Sequence, residues 1–109
     1  MKKQLVLAAS AALLSTGALA ASQGASVFEE VCAACHGEKG QGIPGLAPPL
    51  KGSEFVKKTD NKALADFIQH GRAGKEKHFP QFPSDMPPYS GGAAKAQAVA
   101  DYVKGDLQK

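Results

Sequence analysis

Cys32-Ala33-Ala34-Cys35-His36 is the stretch on which the reading of this chain turns. Cys-x-x-Cys-His is the attachment pattern of a c-type haem. Two thiols three positions apart on a helical turn face one side, where each can add to a vinyl group on the same edge of a porphyrin. His36 then lies beneath the ring and can offer a nitrogen to the iron. Competing readings of the pair are weaker. A thioredoxin-like redox motif wants strand–helix–strand surroundings, and no Val/Ile-rich strand precedes Cys32. A zinc site wants four ligands, but the chain has only two cysteines, and His70 and His78 stand at spacings that match no finger pattern. A disulfide between Cys32 and Cys35 is geometrically poor inside a helix. The motif therefore predicts one haem c, covalently held by Cys32 and Cys35, with His36 on the metal.

Working outward, Val27, Phe28, Val31, Cys32 and Cys35 recur on one helical face. Ser22 or Ser26 is the expected cap of this helix, and Gly37 its end. Three prolines between Ile43 and Leu50 exclude helix and strand interior there. They predict a loop of extended backbone that passes beside His36 and presents a carbonyl to its free ring nitrogen. Residues 53–58 read as a helical turn. A clearer helix, capped by Thr59 or Asp60, carries Leu64, Phe67 and Ile68 on one face and stops at Gly71. From Arg72 to Ser90, Gly74 and four prolines rule out long regular elements, and this loop holds Met86. A last helix starts at Ala93 with Ala98, Val99, Tyr102 and Val103 on one face. The pattern is all-α, with three main helices, long loops and neither repeats nor a convincing strand.

At 109 residues the chain is one small domain. Lys2 and Lys3 precede an apolar run from Leu5 to Leu14, and Ala18-Leu19-Ala20 follows, which predicts a signal peptide over 1–20 and a domain over 21–109. The apolar run is short for a membrane span and is followed by Ser15, Thr16 and Gly17. Two of the thirteen basic residues lie in that leader, leaving eleven against ten acidic ones. Two haem propionates would bring the domain close to neutral. With no basic patch interleaved with aromatics, nucleic acid is not an expected partner. So small a chain buries a modest core and needs a staple, which a covalent haem would supply.

With these residues in view, the chain resembles the small class I cytochromes c over the whole of 21–109. Gly24, Phe28, Val99 and Tyr102 match that family's contact between first and last helices. Pro48 and Leu50 match the proline and leucine that pack on the His side of the haem, and Met86-Pro87 matches the axial methionine with its following proline. The resemblance implies helices wrapped around one partly exposed haem, with His36 and Met86 as axial ligands. His70 or His78 remain alternative distal ligands. Arg72 and Tyr89 are candidates to meet the propionates, and Leu50, Phe67, Ile68 and Phe82 to surround the iron.

A six-coordinate iron leaves no open position, so the expected role is one-electron Fe(III)/Fe(II) exchange rather than catalysis. The expected protein is a monomeric periplasmic carrier that docks with an oxidase, reductase or dehydrogenase. The alternative is the electron-accepting subunit of a periplasmic dehydrogenase, or a small haem enzyme or gas sensor; fold alone does not separate these.

Overall fold

Gly24 marks the place where the first helix crosses the last. The computed structural model describes residues 23–109, so the expected leader over 1–20 lies outside the described residues. Helix α1 spans residues 23–36 and widens over Phe28–Cys32 into one i→i+5 turn, in which the Ala33 N–H donates to the Phe28 carbonyl. Helix α2 is Glu54–Lys58, α3 is Asn61–His70 and α4 is Ala93–Lys104. Short 3-10 turns cover Gly74–Glu76 and Asp106–Gln108. Among the described residues there is no strand, and the isolated pairs Ile43–Ala47 and Arg72–Met86 are the only bridges.

The wide turn in α1 corrects the expected helical face. Val27 and Phe28 are buried, but Val31 is 51% exposed. An i→i+5 turn rotates the chain less per residue than an α-turn, so Val31 lags behind the face that Phe28 and Cys32 share. Ser26 sits inside the helix and caps nothing. At α3 the cap is Asp60, whose carboxylate accepts from the N–H groups of Lys62 and Ala63, a contribution of about 1 kcal/mol. Ser53 caps α2 by accepting from Val56 N–H at 3.2 Å.

Helix α3 packs along α4, and the core lies between them and α1. Phe28, Val56 and Val99 are the largest fully buried side chains. Burying a side chain of this kind contributes roughly 1.5–3 kcal/mol. The Phe28 ring lies 5.6 Å from that of Tyr102, which locks α1 across α4. Gln108 ties the C-terminal turn to the middle of the chain: its amide donates to Leu50 O at 2.9 Å and accepts from Gly52 N–H at 2.8 Å. Between α1 and α2 the backbone is not extended throughout as expected. Ile43 and Ala47 pair and fold residues 44–46 into a turn, which the Pro44-Gly45 sequence favours.

Candidate haem-binding site

α1 ends by delivering Cys32, Cys35 and His36 to the wall of a cavity of about 1060 Å³, open mouth included. Further lining comes from the loop after it (Pro48, Leu50), from α3 (Leu64, Phe67, Ile68) and from the loop before α4 (Phe82, Met86). These are almost all apolar groups. All six expected site residues, Cys32, Cys35, His36, Pro48, Leu50 and Met86, therefore line one space.

The His36 ring is oriented by its neighbour. Its Nδ1 lies 3.0 Å from the Pro48 carbonyl. A carbonyl only accepts, so Nδ1 carries the proton and donates, and in the neutral ring the lone pair is on Nε2. Burial pushes the His36 pKa below its ordinary value, against the weaker opposite pull of the Pro48 carbonyl. A neutral imidazole with a free Nε2, fixed by a carbonyl, is what a metal-ligating histidine requires. Gly42 makes this approach possible: its φ is 81°, and a Cβ there would lie 2.6 Å from Pro49 N and 3.0 Å from the Pro48 carbonyl carbon. The Gly42 N–H also holds the His36 carbonyl at 2.7 Å.

Cys32 and Cys35 are half-buried and not bonded to each other. Burial first, and the charge of Cys35 second, push the Cys32 thiol up to about 11. Among the described residues no three His, Cys, Asp or Glu side chains gather as a metal cluster.

Met86 is placed by backbone contacts on both sides. It exchanges two hydrogen bonds of 2.8 Å with Arg72. Gly71 (φ 73°) lies against the chain that follows; a Cβ there would collide with the Met86 carbonyl and sit 2.8 Å from Pro88 N. Of the two alternative histidines, His70 is exposed and outside the cavity, its Nδ1 donating to Asp66 O at 2.8 Å. His78 does line the cavity, stacked 4.2 Å from the Phe55 ring and edge-on to Phe79. It is exposed, yet it is not the free loop residue its surroundings in the sequence suggest. Arg72 reaches the cavity with its guanidinium 4.1 Å over the Phe67 ring. Tyr89 does not line the cavity: it packs against the core, with its hydroxyl beside Gly91. Lys77, Phe55 and Phe79 line it without having been expected.

The chemistry of this donor set suits a haem c: two thiols on one wall, one neutral imidazole, one thioether and an apolar interior. Residues 19–103 match the family model described as cytochrome c oxidase, cbb3-type, subunit III. The chain belongs to this family and is a class I c-type cytochrome. The cytochrome is 43% identical over 65 residues to the cbb3-type cytochrome c oxidase subunit CcoP of Azospirillum brasilense, covering 55% of this chain and 22% of that protein. It is 32% identical over 91 residues to the cytochrome c subunit of the quinone alcohol dehydrogenase of Gluconacetobacter polyoxogenes, covering 84% of this chain and 19% of that one. To cytochrome c-552 of Thermus thermophilus it is 52% identical over 40 residues, 37% of this chain and 26% of that protein. The chain thus spans about a fifth of the length of the two subunits it matches. The described residues of the cytochrome form an all-α fold. Among its described residues no helix is long and apolar enough to cross a membrane.

Proposed function

We propose that this cytochrome carries one haem c, bonded through Cys32 and Cys35, with His36 and Met86 as its axial ligands, and that it passes single electrons between protein partners. One observation carries the reading: the His36 ring is turned by Pro48 so that Nε2 is its free nitrogen, and it shares one apolar cavity with both thiols and with Met86. The bound haem supplies a one-electron Fe(III)/Fe(II) couple. The residues do the rest. Cys32 and Cys35 fix the group permanently, so it is not lost on docking. His36, oriented by Pro48, and Met86, fixed by Arg72 and Gly71, would hold the iron and leave it no open position for a small ligand. A thioether favours the reduced state relative to a second imidazole. Leu50, Phe67, Ile68 and Phe82 exclude water and disfavour the extra charge of the oxidised centre.

Residues 1–20 are read as a leader that directs the domain over 21–109 to the periplasm, where it acts as a monomer without a membrane span. Its partners would be an oxidase, a reductase or a dehydrogenase. A second reading is supported by the match over 84% of the chain to a dehydrogenase's cytochrome subunit: the domain is held by a dehydrogenase and accepts its electrons. Co-elution of a dehydrogenase with the natively purified protein would favour that reading over the free carrier. The axial pair is tested with carbon monoxide. The reduced wild type should bind it poorly and Met86→Ala readily; rapid binding by the wild type would mean an open iron, and the carrier would give way to a haem enzyme or gas sensor.

A further inference from the structure

The loop that leads into Met86 is held from inside by one ammonium group. The Arg72–Met86 pair closes residues 73–85 into a loop whose regular structure is a single 3-10 turn. Within it, Lys77 Nζ donates to the carbonyls of Phe82 at 2.8 Å and Pro83 at 3.3 Å, and lies 3.5 Å from Asp85 Oδ1. A lysine ammonium has three N–H donors and no acceptor, so three neighbouring groups of one loop match its whole capacity. No backbone N–H among the described residues reaches the Phe82 or Pro83 carbonyl, so Lys77 takes the place of missing main-chain partners. Asp85 is itself held by the Gly74 N–H at 3.4 Å. The Lys77 side chain is only 14% exposed, whereas lysines are almost never drawn so far from water without partners.

The chain beyond Met86 has other anchors: Gly71 lies against Pro87 and Pro88, and Tyr89 N–H donates to Ile68 O at 2.9 Å. Met86 itself is paired with Arg72, and the three acceptors of Lys77 lie in the stretch that leads into it, one to four residues before it. We propose that Lys77 is a positioning residue for the sulfur ligand, clamping residues 82–85 so that Met86 presents its thioether steadily to the iron. This rests on the reading of Met86 as the axial ligand. Without the clamp the loop opens more often, the sulfur leaves the metal more often, and the oxidised state gains relative to the reduced one.

The test uses the purified holoprotein and its Lys77→Met and Lys77→Arg variants. Three readouts are followed: the near-infrared sulfur-to-iron band of the oxidised protein, carbon monoxide association with the reduced protein, and the midpoint potential. Lys77→Met, which keeps length and loses every donor, should speed carbon monoxide association on the order of tenfold, weaken the band and lower the potential, because hydrogen bonds to a charged group are among the stronger ones. Lys77→Arg keeps charge and donors and should stay nearer the wild type. A wild type without the band removes Met86 as ligand, whatever Lys77 does. A wild type that shows the band, with Lys77→Met matching it in all three readouts, overturns the clamp; so does Lys77→Arg being as impaired as Lys77→Met. Should Lys77→Met fail to retain haem, Asp85→Asn decides: a smaller change in the same direction supports the clamp, and an unchanged band and rate overturn it.

Discussion

Replacing Gly24 by alanine separates the structure from helix propensity, because the two demand opposite signs. In an exposed helix the change would stabilise by about 0.8–1.0 kcal/mol. Here Gly24 faces α4. An added Cβ would press on the Ala98 carbonyl oxygen and lie 2.8 Å from the Ala98 carbonyl carbon and 2.9 Å from Tyr102 Cβ. Carbon atoms pack best at roughly 3.5–4.0 Å, so α1 and α4 must part by something under an ångström. Two of those neighbours are backbone and cannot swing aside, and parting the helices also loosens Phe28 against Tyr102. Overpacking of this kind costs about 1–3 kcal/mol. Taking the upper end and subtracting the propensity gain leaves a net loss of about 2 kcal/mol, or about 8–16 °C in Tm for a domain of this size. Thermal unfolding of the holoprotein followed by circular dichroism measures it. A Tm equal to or above that of the wild type would refute the close crossing and the reasoning built on it.

Two further outcomes follow from the site. Cys32→Ala combined with Cys35→Ala should leave no haem on the protein after acidified organic extraction, and should give a chain whose near-ultraviolet circular dichroism is weak, since the apolar cavity then lacks its filling; colour retained by the double variant would contradict covalent attachment. The pH dependence has a definite sign: burial holds His36 below its ordinary 6.5, so the unfolded chain takes up the proton first, and stability present above pH 6.5 is lost as the pH falls beneath it. Coordination of Nε2 acts in the same direction, and denaturant midpoints measured between pH 5 and 8 in the wild type check the slope.

The parts of this molecule that are legible in its sequence are those set by local chemistry. Attachment of haem c demands both thiols and the histidine within five consecutive residues, so Cys32, Cys35 and His36 stand out unaided. Helices α3 and α4 show as runs of buried positions at helical spacing, with Asp60 and Gly71 as the punctuation of α3, and Gly37 marks the end of α1. The Pro48 carbonyl is predictable because the proline-rich loop follows His36 so closely. What is not legible depends on turns and long-range placement. Val31 reads as part of the inner face because an i→i+5 turn leaves no mark in composition. Tyr89, a candidate for the propionates, packs on the core rather than lining the cavity, after two prolines that separate it from Met86. His78 is exposed as its loop suggests, but its stacking on Phe55 leaves no local signal because Phe55 lies on another element. Lys77 carries no signal in the sequence, since its partners include carbonyls that only the folded loop leaves unpaired.

The most direct test of the central claim is a spectroelectrochemical titration of the purified holoprotein through the near infrared. A closed iron held by His36 and Met86 predicts a single reversible one-electron step, with the sulfur-to-iron band present when oxidised, lost on reduction and restored on reoxidation, and absent throughout from Met86→His at a lower potential. A wild type with no such band, or with a step that shows hysteresis between reduction and reoxidation, would contradict it.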